Sequence, residues 1–248
     1  MSNSDRFPEP GKLYSWTEER AVMGSHIRQK ANNDRTLNIL EAGCGTGWGI
    51  DLNGVRYILT GVDLDKNALA VRMKQQKDLE IAIAGDLRTV ALEESKYDVI
   101  YNSYVLEHVD GAEQVLKNFV RWLKPGGIII LLIPNRDSAW GFLTRMTPFW
   151  FHVSYRRYIG REEDAGKPGY APYPVFYDKI VSRRRIYEFC EKHELAIRAE
   201  YSIGHGRRDS TWIYYFLNRL FLQTVHLASF GSLSVKYANL LYIIEKPG

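Results

Sequence analysis

The stretch "NILEAGCGTGWGI", Asn38 to Ile50, decides how this chain is read. An apolar, strand-like segment runs into a loop holding Gly43, Gly45, Gly47 and Gly49. Glycines this dense let a backbone approach a ligand closely. A dinucleotide fingerprint requires G-x-G-x-x-G. Counting from Gly43 puts Trp48 at the third glycine, and counting from Gly45 puts Ile50 there, so both registers fail. No G-K-[ST] follows, which excludes a P-loop. The loop is therefore not built for a pyrophosphate. What stands is E-x-G-x-G-x-G, with Glu41 at the end of the strand.

Working outward, strands and helices alternate. "LNILEA" (37–42), "VRYILTGVDL" (55–64), "LEIAIAGDL" (79–87), the start of "YDVIYNSYVLEHV" (97–109) and "IIILLIP" (128–134) read as strands. "DKNALAVRMKQQ" (65–76) and "GAEQVLKNFVRWLKPGG" (111–127) read as helices, the second stopped by Pro125-Gly126-Gly127. The alternation predicts parallel βαβ units in a doubly wound sheet. Such sheets bind ligands outside the C-terminal strand ends. The glycine loop, Asp63, Asp86 and Asn102 all fall at such ends. After Pro134 the rhythm breaks. Residues 135–178 show no clean strand but many aromatics, and read as an inserted cover whose rings form a pocket wall, a dimer interface or plain core. A helix at 178–193, a strand at 195–203, an apolar helix at 210–230 and a strand at 234–247 close the chain. The expectation is one domain over 1–248, with a core at 36–134, an insertion at 135–178 and a completion of the sheet at 179–248.

The composition sets limits. Of 248 residues, 45% are apolar and 25% charged, enough for an ordinary core. The formal charge of +4 is too mild to argue for nucleic acid. Two distant cysteines, Cys44 and Cys190, make a disulfide framework or a zinc site a poor fit and suit a reducing, cytoplasmic setting. No signal-peptide pattern opens the chain, and no run of about 18 apolar residues suggests a membrane span. "WIYYFLNRLFLQTVHLASF" (212–230) is apolar enough to lie on a bilayer as a peripheral contact.

A ligand without phosphate would be met by the acidic strand ends. Asp63 lies 20 residues beyond Gly43, a spacing suited to ribose hydroxyls. Asp86 could accept from an adenine amino group, and Glu41 could face a cationic amino group. A nucleoside carrying an amino acid, such as S-adenosylmethionine, matches that set. Here the chain resembles the class I S-adenosylmethionine-dependent methyltransferases, in particular the small-molecule branch that includes ubiquinone-pathway enzymes. "LEAGCGTG", "GVDLD", "GDL", "YDVIYNSYVLEHV" and "LKPGGIIILLIPN" occur in the family's order across 37–135, and "LLYIIEKP" is similar to its last strand. The resemblance implies a Rossmann-like seven-stranded sheet, mostly parallel, with an antiparallel last strand and the insertion after the fifth strand.

It also implies roles. Gly43, Cys44 and Gly45 line the methionine portion, with Glu41 near its amino group. Asp63 takes the ribose and Leu64 lies against the adenine, which Asp86 and Leu87 edge. The Asn102 backbone lies near the methionine amino group. Tyr104, Glu107 and His108 begin the segment between cofactor and acceptor. Trp48, Gly49, Asp51, Asn53 and Gly54 are poor helix formers, so the helix expected after the loop is short.

The expected reaction is methyl transfer to a small, partly apolar acceptor, with a hydroxyl oxygen first and N- or C-methylation as the alternative. Candidate acceptors are a natural product, a quinone precursor or a glycolipid intermediate. A hydroxyl acceptor needs a base, and histidine titrates near neutrality. His152, in the insertion, is the first choice, with His108 and His205 in reserve. Adenine-N6 enzymes resemble one another in a [DN]-P-P-[YFW] motif, where this chain reads "NSYV". A non-catalytic cofactor-binding module remains the reading from a different class.

Overall fold

The strand feeding the glycine loop is Leu37–Ala42, with five of its six residues buried. In chain order it is the second of eight strands. β1 is Gly11–Leu13, β2 Leu37–Ala42, β3 Tyr57–Asp63, β4 Ile81–Ala84, β5 Tyr97–Ser103, β6 Leu123–Pro134, β7 Ala196–Ile203 and β8 Asn239–Glu245. The computed structural model describes residues 7–31, 35–158, 162–167, 170, 172–203, 220, 222–235 and 237–248. One sheet holds all eight strands in the order β1-β7-β8-β6-β5-β2-β3-β4. β8 runs antiparallel to both β6 and β7, and every other pair is parallel.

Among the described residues the sheet is accompanied by α1 Trp16–Lys30, α2 Lys66–Gln75, α3 Ala112–Trp122, α4 Ala139–Met146, α5 Phe149–Tyr158 and α6 Arg183–Lys192, and residues 222–228 are helical as well. β6 is apolar along its whole second half because both its faces are covered. Ile129, Leu131 and Ile133 pack with Phe119 and Trp122 of α3 and Phe189 of α6. Ile128, Ile130 and Leu132 pack on the other face with Met23 and Ile27 of α1 and Leu69 of α2. The result is a three-layer doubly wound fold. The chain leaves β2 toward β3 and β4, then returns to place β5 on the other side of β2. That reversal opens a crevice at the C-terminal ends of β2 and β5.

Four expectations change. The sheet has eight strands, not seven, because β1 adds a three-residue parallel edge to β7. The ring of Tyr201 lies where a side chain on Gly11 would stand, so any larger residue there would have to push that ring aside. The helix expected to run to Gly127 ends at Trp122. Ser95 and Lys96 donate backbone N–H groups to the Arg121 and Trp122 carbonyls (3.0 and 2.9 Å), closing it before the proline is reached. Leu123 already pairs with Tyr97. The insertion contains two helices, α4 and α5, that the aromatic pattern did not reveal. The short helix expected after the glycine loop does not form: residues 43–56 hold no helical residue, in keeping with the run of poor helix formers.

Of the 210–230 segment, residues 210–219 and 221 lie outside the described residues, and 222–228 are helical. No described helix is long and apolar enough to cross a membrane.

Candidate active site

The glycine loop turns immediately after β2. Gly43 and Gly45 both take positive φ (77° and 52°), where L side chains are strained. A side chain at Gly43 would overlap Val105, whereas above Gly45 the space is open for 4 Å. The Val62 carbonyl accepts from the Gly43 and Cys44 N–H groups (2.7 and 3.1 Å), tying the turn to β3. Cys44 is buried, and burial pushes its thiol up to about 12, so it packs rather than reacts.

Asp63 ends β3. One carboxylate oxygen accepts from the Gly45 N–H (2.7 Å), the other from the Asp65 N–H (2.8 Å). The loop and the β3 end therefore share one carboxylate in a fixed orientation. Leu64, 72% exposed, follows it. Asp65 caps α2, accepting from the Asn67 and Ala68 N–H groups.

Glu41 lies beneath the loop, almost wholly buried. Burial raises its carboxyl above the ordinary value while Arg72 opposes that. Arg72, from α2 and without exposed surface, sits 2.6 Å from a Glu41 oxygen. The same guanidinium donates to the Cys44 carbonyl (2.6 Å) and to both oxygens of Asp78 (3.1 and 3.0 Å). Glu41 thus sits against the guanidinium that grips the loop from below.

Asp86 lies just past β4 and is drawn below its ordinary value by hydrogen bonds from Arg88, whose Nη2 is 2.6 Å away. Leu87 is buried, and its carbonyl accepts from Asn118 of α3 (2.8 Å). Asn102 of β5 has no exposed surface and donates from Nδ2 to the Ala42 carbonyl (2.7 Å), lashing the two strand ends together. Its buried Oδ1 has no partner among the described residues. Tyr104 follows at φ 53°, and its N–H reaches the Leu132 carbonyl (2.9 Å).

A single 3-10 turn, Leu106–His108, comes next. Burial pushes the Glu107 carboxyl up to about 8, and its Oε2 has no described partner. His108 donates from Nδ1 to the Pro174 carbonyl (2.7 Å), which leaves Nε2 bare in the neutral ring. Burial also lowers its pKa, favouring that neutral form. The turn anchors the insertion: the Phe176 and Tyr177 N–H groups donate to the Glu107 carbonyl (2.8 and 3.1 Å). Tyr173 meets the His108 ring edge-on and donates to Asp65 (3.3 Å). Residues 173–177 thus strap the strand ends from α2 to the 3-10 turn. Beside the strap, a cavity of about 350 Å³ is lined by Pro134, Trp140, Thr144, Tyr177, Ile203 and Asn239.

The histidines separate. His108 lies at the strand ends. His152 on α5 uses Nε2 on the Thr147 hydroxyl and carbonyl (2.9 and 3.2 Å), within the corner between α4 and α5. His205 lies outside the described residues.

A family model described as a methyltransferase domain matches residues 40–131, the segment that carries the loop, both acidic strand ends and the 3-10 turn. Residues 40–131 are thus similar to a methyltransferase domain. A probable S-adenosylmethionine-dependent methyltransferase of Mycolicibacterium smegmatis is 34% identical over 114 residues, covering 45% of this chain and 44% of that protein. The chain thus spans under half the length of that relative. A ubiquinone biosynthesis O-methyltransferase of Bartonella tribocorum is 28% identical over 190 residues, covering 71% of this chain and 67% of its own. The solved structure of an S-adenosylmethionine-dependent methyltransferase from Methanosarcina mazei shares the fold, with a TM-score of 0.54 at 17% identity over 95% of this chain and 99% of that one.

Two parts of the site's surroundings are not visible in the sequence pattern. Arg72 reads as a surface residue in "ALAVRMKQQ", although it stands three beyond buried Leu69. α1 brings Glu19 and Arg20 to the loop. Arg20 packs on Gly49, where a β-carbon would lie 3.1 Å from its Nε. Glu19 is buried, and burial pushes it up to about 7. Ser15-x-x-Glu18 was the available signal: the Ser15 hydroxyl caps the Glu18 N–H (3.1 Å).

Proposed function

We propose that the chain transfers a methyl group from S-adenosylmethionine to a small, partly apolar acceptor, most favourably at a hydroxyl oxygen. The observation that carries this reading is the Asp63 carboxylate, held by Gly45 and Asp65 beside a loop that leaves open space. A fixed carboxylate suits paired ribose hydroxyls and repels a phosphate. Leu64 offers an exposed apolar surface to the adenine. Leu87 and Asp86 edge it, with Asp86 shared with Arg88. Gly43, Cys44 and Gly45 line the methionine portion, and the backbone around Asn102 and Tyr104 closes its other side. Arg20 supplies a cation for the carboxylate. Glu41 positions the loop through Arg72.

When bound, the cofactor supplies a sulfonium methyl already activated for in-line attack. The chain's task is alignment, which contributes up to about 7–11 kcal/mol in favourable cases. The cavity beside Tyr177 holds the acceptor, and the strap excludes water. As the acceptor oxygen forms its bond to carbon, its proton passes to a base. We assign that proton to Nε2 of His108, which its bond to Pro174 leaves unprotonated. His152 instead orders the α4–α5 corner. The Bartonella relative's name supports oxygen as the acceptor atom.

Calorimetry with S-adenosylhomocysteine tests the reading. The intact chain binds it, and Asp63→Ala weakens binding by about 100-fold, the scale of two charge-assisted hydrogen bonds lost. Binding at near-normal strength in the variant would remove Asp63 from the site and the reading with it.

A further inference from the structure

α4 carries a guanidinium that the fold does not pair. Arg145 stands one turn beyond Gly141, which lines the cavity beside Tyr177. Helical side chains lean toward the helix N-terminus, over the residues three and four positions back. Arg145 therefore lies over Phe142 and Gly141. Its Cζ is 5.9 Å from the centre of the Phe142 ring, and Gly141 puts no side chain between it and the cavity.

The surroundings of Arg145 do not answer its charge. The residue is half-buried, and its Nε is enclosed with no hydrogen-bond partner among the described residues. Burial, and then the charge of Arg136, lower its pKa from the ordinary guanidinium value, while Asp137 opposes them. Asp137 stands 4.0 Å from Arg136 with its side chain 56% exposed, and no described carboxylate forms an ion pair with Arg145. Arg136 is itself taken by the Tyr177 carbonyl (2.6 Å). Thr144 donates to the Trp140 carbonyl (2.9 Å) and accepts from Tyr177. Arg145 is left as an unanswered donor at the cavity edge.

A partly desolvated cation beside a second cation is unfavourable until an anion joins it. A guanidinium presents Nε and one Nη as a fork that matches two oxygens of a carboxylate or a phosphate. We propose that Arg145 binds an oxyanion on the methyl acceptor, so that the acceptor is an acid with an aromatic or apolar body. This rests on the reading of the cavity as the acceptor site. The oxyanion meets the free Nε, Trp140 and Ile203 meet the body, and Arg136 adds positive field without a bond of its own. A neutral molecule of the same shape leaves the guanidinium unpaired and is rejected.

Calorimetry of the full chain with benzoate, phenyl phosphate and the neutral isostere benzamide tests this. At least one anion binds about tenfold or more tightly than benzamide, and the tighter anion tells carboxylate from phosphate. Arg145→Gln weakens that anion by about 10–100-fold and leaves benzamide and S-adenosylhomocysteine where they were. The melting temperature of Arg145→Met stays level or rises, because no partner is lost; a guanidinium with a purely structural role would lower it. Equal affinity for benzamide and both anions in the unsubstituted chain overturns the proposal, whether or not the variants fold. So does anion binding that survives Arg145→Gln while S-adenosylhomocysteine still binds, and the methyl-transfer reading then stands without it. Arg145-dependent anion binding in a chain that takes no S-adenosylhomocysteine would instead bring down the methyl-transfer reading, and the acceptor assignment with it.

Discussion

At the strand ends of 36–134, polar side chains are held by backbone. Asp63 is held by Gly45 and Asp65, Asn102 by Ala42, and Arg72 grips Cys44. In 135–178 the pattern inverts. α5 has no fully buried residue, and the strap bonds to the rest at Glu107, His108, Asp65 and Arg136, with the Tyr177 ring set into the core. The first region is over-determined, as a site must be when its ligand has one shape. The second is aromatic and held by fewer polar contacts, which suits an acceptor met from outside. If that contrast is real, substitutions in the first region should cost stability or cofactor affinity, and those in the second should cost little of either.

The largest effect belongs to Arg72. Its guanidinium has no exposed surface and serves Glu41, Asp78 and the Cys44 carbonyl at once. Arg72→Ala leaves the buried Glu41 uncompensated, and removal of one partner from such a pair costs about 3–5 kcal/mol. Urea unfolding should show a loss of that size. A loss under about 1 kcal/mol would mean that the loop is not held from below.

His108 comes next. His108→Gln should lower turnover by about 100-fold or more, since a positioned base contributes 10²–10⁴-fold. S-adenosylhomocysteine affinity should be spared. Burial lowers the pKa of His108, so the neutral, proton-accepting ring dominates above that value. The acid limb of kcat should therefore lie below the ordinary histidine range, near 6.5, and vanish in the variant. An unchanged profile returns the role to His152 or His205.

Glu107 gives a smaller effect with a defined sign. Its folded pKa of about 8 lies above the ordinary carboxyl value of 4.5. The folded state thus holds a proton that the unfolded chain releases, and stability falls as pH rises between those values. Glu19, raised to about 7, tilts stability the same way. Glu107→Gln should remove part of the slope, about 2 kcal/mol between pH 5 and pH 8. Parallel melting curves of variant and parent across that range would contradict the burial assigned to this carboxyl.

How much of this was legible follows from the same contrast. β2, β3, β5 and β6 are buried on both faces, so they appear as apolar runs, and their polar ends stand out as turn residues. α1 was missed because its buried face is Glu19, Met23, Gly24 and Ile27, and a buried glutamate reads as surface. Arg72 was missed for the same reason. β1 is too short to alternate. α5 shows no inward face because it has none. His152 seemed the best-placed base from its position in the insertion. Chain position gave no hint that Thr147 takes its nitrogen, or that Pro174 orients His108.

The smallest expected effect lies where the two regions meet. Tyr173 donates to Asp65, next to the residue assigned to the ribose, while its ring rests on His108. Burial and then the Asp65 charge push its phenol up to about 12, so it stays a donor throughout the neutral range. Tyr173→Phe removes one long, exposed bond and keeps the ring contact. Exposed hydrogen bonds contribute about 0.5–1 kcal/mol, so S-adenosylhomocysteine should dissociate roughly threefold faster by stopped-flow, with unfolding stability unchanged. A faster release without a stability change would show that the strap governs passage at the rigid site while contributing little to its construction. A loss of stability instead would make residues 173–177 part of the over-determined half, and the boundary between the two regions would have to be drawn on the far side of the strap.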